Sequence, residues 1–283
     1  MPAERLFLKR RLKAARLGAK ERLGLANDTS DGLSWLFVAT LPNAGSTALA
    51  QLLLTGSRVT TLEENGEGQW LTFDARQPSK RWKSRARINY GAMRTLWLDR
   101  LSDRKSRRML VIEKSPPNLV RMRRVLETFD DMPTRLIRLT RDPYAVCASW
   151  AKRYGPSRVA EDWGEPTGEM VRGSREFFTA LGRIYGERLK RLAELKRRSS
   201  FDLRYEDLTA DPVSALEPLK QSEPLLADID ASAKLAVKDY EPRPLENMNE
   251  RQIGKLTSAQ IAGISAGLQP FAEHLPAFGY ELR

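Results

Sequence analysis

Three groups of residues in this 283-residue chain have the types and spacing to handle an anion. The first is Pro42-Asn43-Ala44-Gly45-Ser46-Thr47. It follows an apolar run, Trp35 to Ala39, and precedes an apolar helical pattern that reaches Leu54. A strand, a tight turn and a helix in this order aim backbone N–H groups at one spot, and the helix N-terminus adds partial positive charge there. Gly45 permits close approach, and the Ser46 and Thr47 hydroxyls can donate to phosphate-type oxygens. A nucleoside-triphosphate P-loop needs G-x-x-x-x-G-K-[ST]. No Gly-Lys is present here, and Asn43 stands where a basic residue is expected. Taken alone, the stretch also reads as an ordinary strand-to-helix connection.

The second group is a carboxylate loop, Glu63-Glu64-Asn65-Gly66-Glu67-Gly68. It supplies candidate general bases, with a solvated acidic turn as the alternative. The third group is basic. Lys114 follows the apolar run Met109–Ile112, and Arg141 follows Arg135–Thr140, with Ser149 eight residues further on. Arg251 and Lys255 lie in a late, irregular stretch, 239–256.

These residues need elements to position them. Five short apolar runs read as strands: 35–39, 58–62, 109–112, 135–140 and 201–205. Helical patterns separate them, which predicts a parallel α/β sheet. Ligands of such sheets bind at the carboxyl ends of the strands, where all three groups fall. Pro117 and Pro143 suit first helical turns, and Asp142 suits a cap. Met93, Leu96, Trp97 and Leu101 have helical spacing. Phe178, Leu181, Tyr185, Leu189, Leu192 and Leu195 stripe a long helix over 172–198. Residues 154–171 read as a Gly/Pro-rich surface connection near the acceptor, and a last helix is expected over 257–267.

Composition bounds the partners. The formal net charge is +12, which favours an anionic ligand, nucleic acid or an acidic surface. Residues 4–22 carry eight Lys/Arg against two Glu, and 76–108 carry twelve against two Asp. The first stretch reads as a basic amphipathic helix over 5–22, able to touch acidic lipid weakly. The second interleaves Trp82, Tyr90 and Trp97 with its charges, as nucleic-acid or sugar surfaces do. One cysteine, Cys147, and one histidine, His274, exclude internal disulfides and most zinc sites. No apolar run approaches the roughly 18 residues of a membrane span. No signal-peptide core opens the chain, so a cytoplasmic setting is expected.

Together the segments resemble the sulfotransferases that use 3′-phosphoadenosine 5′-phosphosulfate (PAPS), over roughly residues 35–283. Pro42 to Thr47 resembles the family's 5′-phosphosulfate loop, usually Pro-[Lys/Arg]-Ser-Gly-[Ser/Thr]-Thr. Arg141 and Ser149 resemble its 3′-phosphate pair. Glu113-Lys114-Ser115-Pro116 is similar to a lysine motif of Golgi-type heparan and tyrosylprotein members. Arg204-Tyr205-Glu206-Asp207-Leu208 resembles the segment whose tyrosine lies near adenine, and Arg251 to Lys255 the late basic loop over the 3′-phosphate.

The resemblance implies a P-loop-NTPase-like single α/β domain with a central parallel sheet of about five strands. Residues 33–283 would form that sulfotransferase domain, and 1–32 a basic helical extension. It implies PAPS as co-substrate and no metal. A hydroxyl or amine acceptor would come from a small molecule, lipid or glycan, anionic ones included, with no specific nucleic acid. Asn43 departs from the pattern, and Lys114 is the candidate for the missing cation. With no mid-chain histidine, the base falls to Glu64 or Glu67, ranked nearly equal, with Glu63 behind. The alternatives are a nucleotide or nucleoside kinase-like enzyme and a non-catalytic binder of nucleic acid or acidic polysaccharide.

Overall fold

A computed structural model describes residues 32–102, 108–235 and 244–283. The expected basic helix over 5–22 and Arg243 lie outside these residues. Five parallel strands form one sheet: β1 (Leu33–Thr40), β2 (Val59–Thr61), β3 (Met109–Glu113), β4 (Thr134–Thr140) and β5 (Phe201–Arg204). Their spatial order is β2-β3-β1-β4-β5. Each sequence-read strand therefore exists, within a residue or two at its ends. The described residues form these α-helices in chain order: α1 (Ser46–Leu53), α2 (Phe73–Arg76), α3 (Pro78–Arg81), α4 (Tyr90–Arg100), α5 (Met122–Thr128), α6 (Pro143–Arg153), α7 (Pro156–Trp163), α8 (Arg175–Glu194), α9 (Tyr205–Ala210), α10 (Pro212–Ser222), α11 (Asn249–Ile253) and α12 (Ser258–Leu268).

The central strand β1 is apolar from Trp35 to Ala39 because both sheet faces are covered there. Trp35, Phe37 and Ala39 face one core, with Trp97, Phe129 and the α8 stripe. Leu36 and Val38 face the other, with Leu49, Leu52, Ile137 and Leu216. Met93, Trp97 and Leu101 bury the α4 face that their spacing indicates, while Leu96 is half-buried.

Two stretches read as irregular are partly helical. Within 154–171 the chain forms α7, opened by Pro156 at its first turn and closed by Gly164 in the left-handed conformation. Both signals are visible in the sequence. Within 239–256 the five-residue α11 forms, too short for a periodic signal. After it, Thr257 caps α12 in a capping box with Gln260.

α12 packs closely on α8. A Cβ added at Gly267 would meet the Thr179 carbonyl at 2.1 Å, and one at Gly182 the Ile264 carbonyl at 2.4 Å. Backbones thus touch where side chains would hold them apart. Gly267→Ala is expected to lower unfolding free energy by about 1–3 kcal/mol, as overpacking does, in urea denaturation. An unchanged midpoint would show that the two helices adjust freely.

Candidate active site

At the carboxyl ends of the strands lies an open cleft of about 690 Å³. Pro42, Asn43, Gly45, Ser46, Thr47, Glu67, Lys114, Arg141, Ser149 and Tyr205 all line it. Of the remaining expected residues, Ala44 is fully buried beneath the loop. Glu64, Arg251 and Lys255 are exposed and do not line the cleft. Glu63 turns to Arg100, 3.7 Å away.

The loop 42–47 is shaped by two left-handed residues, Asn43 (φ 63°) and Gly45 (φ 97°). Asparagine tolerates that conformation better than most side-chain-bearing residues. A Cβ on Gly45 would fall 2.5 Å from the Tyr205 ring, so the loop lies flat against that tyrosine. No side chain caps the N-terminus of α1. Its first N–H groups therefore keep their capacity to bind an anion.

Lys114 is the central cation. Its ammonium donates to Thr47 Oγ1 at 3.0 Å and to Glu67 Oε1 at 3.2 Å, and the residue is 1% exposed. Glu67 Oε2 accepts from Gln69 Nε2 at 2.8 Å and from Trp70 Nε1 at 2.9 Å. Gly66, at φ 75°, lets the loop fold onto the Lys114 stem, and Lys114 N–H donates to the Gly66 carbonyl.

Glu113 holds that loop from below. Its Oε1 accepts from Gly68 N at 3.2 Å, Ser115 N at 3.0 Å and the Ser115 hydroxyl, and Oε2 accepts from Asn118 Nδ2 at 3.2 Å. Burial pushes the Glu113 carboxyl above its ordinary value, against the Ser115 and Asn118 hydrogen bonds, which lower it. Ser115 Oγ in turn accepts from Gln69 N.

A second cation closes the other side. Arg141 forks to Asn249 Oδ1 at 2.8 Å, the Asn43 carbonyl at 2.9 Å and Gln252 Oε1 at 2.9 Å. Its guanidinium lies 4.1 Å over the Tyr205 ring. Burial lowers its proton affinity, and Tyr205 and Glu206 oppose that shift. Glu206 accepts from Asp142 N, Asn249 Nδ2 and Tyr280 O–H, so the start of α6, α11 and the C-terminal segment meet at one carboxylate. Asp142 caps α6 as expected, accepting from Tyr144 N and Ala145 N. Ser149 Oγ accepts from Asn43 Nδ2 at 3.0 Å.

With five strand ends, an uncapped helix and two buried cations converging, the family match decides the matter. Residues 36–221 match the family described as Sulfotransferase family. The chain belongs to the sulfotransferase family. Two solved relatives share its fold. Sulfotransferase STF9 from Mycobacterium avium aligns at TM-score 0.59 and 15% identity, over 95% of this chain and 81% of that one. STF1 from Mycobacterium tuberculosis H37Rv aligns at TM-score 0.51 and 14% identity, over 98% and 85%. No curated protein matches the sequence. No cluster of His, Cys, Asp or Glu able to hold a metal occurs among the described residues. No described helix is long and apolar enough to cross a membrane.

Sequence reading missed several of this sulfotransferase's contact residues. Asn249 and Gln252, not Arg251 and Lys255, reach Arg141, because the turn of α11 sets which side faces inward. Glu113 was legible only as the partner of Lys114 in a motif. Arg141→Lys, which keeps the charge but loses the fork, is expected to weaken adenosine 3′,5′-bisphosphate binding by about ten- to a hundredfold in calorimetry. An unchanged affinity would remove Arg141 from the ligand site.

Proposed function

We propose that this site transfers a sulfuryl group from PAPS to an acceptor hydroxyl or amine, releasing adenosine 3′,5′-bisphosphate. The observation that carries the reading is the Lys114 ammonium held between Thr47 of the anion loop and Glu67. The residues fit this co-substrate. An uncapped helix start and Lys114 suit the 5′-phosphosulfate. Arg141 and Ser149 suit the 3′-phosphate, and the Tyr205 face suits adenine. The co-substrate supplies an activated sulfur whose leaving group is a phosphate.

Glu67 acts as the base. It lines the cleft, whereas Glu64 does not. The acceptor oxygen forms a bond to sulfur as the sulfur–phosphate oxygen bond breaks, and the acceptor proton passes to Glu67. Negative charge builds on the bridging oxygen and the sulfonate oxygens. The N–H groups of α1, Ser46, Thr47 and Lys114 are placed to stabilise it.

Asn43 takes no part in charge stabilisation. Its side chain is committed to Ser149 and its carbonyl to Arg141, so it links the two phosphate subsites. Lys114 replaces the cation that the family usually carries at that position, and it reaches the loop from the end of β3. The setting is proposed as cytoplasmic.

The test measures label transferred from sulfur-labelled PAPS to the acceptors of a cell extract, with mass spectrometry of the products. Lys114→Ala is expected to slow transfer by about a hundred- to a thousandfold, with bisphosphate affinity nearly unchanged. Equal loss of both would show that Lys114 binds rather than catalyses. Glu67→Gln is expected to cost about a hundred- to ten-thousandfold, and Glu64→Gln nothing measurable. Absence of any label transfer by the unaltered chain, together with better protection by ATP and magnesium than by PAPS, would favour a kinase instead.

A further inference from the structure

One wall of the cleft is not used by the donor reading. It is built by α3, α7 and the residues that join α6 to α7. Arg81, Arg153 and Arg158 line it together with Trp82, Tyr154 and Trp163. Three sequence segments thus bring guanidinium groups and aromatic rings to one surface. The basic stretch 76–108 supplies only part of it.

The charges on this wall are under-compensated. Among the described residues, Asp162 is the carboxylate paired with them, 3.2 Å from Arg158 Nε and 4.0 Å from Arg81. Glu67 is already paired with Lys114. Arg81 Nη2 is held by the Arg76 carbonyl at 2.7 Å, and its buried Nε has no hydrogen-bond partner among the described residues. Behind the wall, Arg188 of α8 lies 3.8 Å over the Trp82 ring and 4.3 Å over Trp163. It is 5% exposed, and its Nη1 also has no partner among the described residues. Burial pulls this guanidinium down to about 9, against Glu165 and Glu187, which raise it, and it is charged at neutral pH. A buried cation with an unanswered donor raises the positive potential of the rings in front of it.

The rings supply a second recognition element. Tyr154 packs edge-on against Trp163 at 5.1 Å and is half-buried, with Arg153 and Arg158 each 5.8 Å from its ring centre. Burial raises its phenol, the two arginines lower it, and Glu67 raises it, so this ring lies within electrostatic reach of the proposed base. Flat ring faces beside guanidinium groups suit a ligand that is both a ring and an anion.

We propose that this wall is the acceptor subsite and that the acceptor is an acidic saccharide. Its ring lies against Trp82 or Tyr154, its carboxylate or sulfate is held by Arg153 and Arg158, and one ring hydroxyl faces Glu67. The assignment of that hydroxyl as the attacking group rests on the sulfotransferase reading above. The subsite itself rests on the wall alone. A neutral sugar would leave the guanidinium groups without a counter-charge, and an aliphatic anion would leave the rings uncovered.

Calorimetry on the full chain tests this with three probes: methyl β-D-glucuronide, D-glucose 6-sulfate and neutral methyl β-D-glucoside. Each is titrated with and without adenosine 3′,5′-bisphosphate. The two acids are expected to bind about tenfold or more tightly than the neutral glycoside, which corresponds to about 1.4 kcal/mol. Added salt narrows the gap. Arg158→Gln, at an exposed position, and Arg153→Gln are expected to erase most of the preference while bisphosphate affinity stays unchanged. Equal affinity for acid and neutral probes, no detectable binding of either acid at millimolar concentration, or a preference that survives both substitutions would overturn the proposal. Binding of the acids without binding of the bisphosphate would leave the subsite standing and overturn the donor assignment instead.

Discussion

A lysine ammonium with almost no access to water cannot stand alone. Removing its hydration costs several kcal/mol, and only a close counter-charge and hydrogen-bond acceptors offset that cost. At Lys114 the acceptors are Thr47 and Glu67, which belong to different loops. The need to satisfy this one charge therefore fixes the distance between the anion loop and the carboxylate loop. Glu113 supports the arrangement through Gly68 and Ser115, and Gly66 allows the loop to lie on the lysine stem. Placement of the proposed base thus follows from burial of the cation proposed to stabilise the developing charge.

The second cation solves a related problem with different chemistry. Arg141 presents a planar fork, and three acceptors from the loop and α11 each take one of its N–H donors. Glu206 then links Asn249, Asp142 and Tyr280, so the C-terminal segment contributes to the site without lining it. The close glycine contacts of α8 and α12 bring that segment into place. Arg141 is thus held from the loop and from α11, and α11 packs against α6.

Much of this was legible in the residues. All five strands were, because short apolar runs bounded by polar turns have few other readings in a chain of this kind. The helix stripe from Phe178 to Leu195 was, since every member is buried. The convergence of Lys114, Arg141 and the 42–47 loop followed from their shared position at strand ends. Other features were not legible. The inward side of α11 depends on where a single turn begins, and Arg251 and Gln252 are neighbours with opposite outcomes. Of the two ranked carboxylates, Glu67 lines the cleft and Glu64 does not, on either side of the left-handed turn at Gly66. Asn43 looked like a lost cation, and only its conformation and its bonds to Ser149 and Arg141 show a structural task.

The central claim is that Lys114 and Glu67 work as one unit across the two loops. A double-mutant cycle on the rate of label transfer from PAPS tests it directly, with Lys114→Met, Glu67→Gln and both together. Residues that act as a unit are grossly non-additive. The account predicts that the double variant is about as slow as the slower single variant. Losses that simply multiply would contradict it, and would mean that the two groups serve the reaction independently.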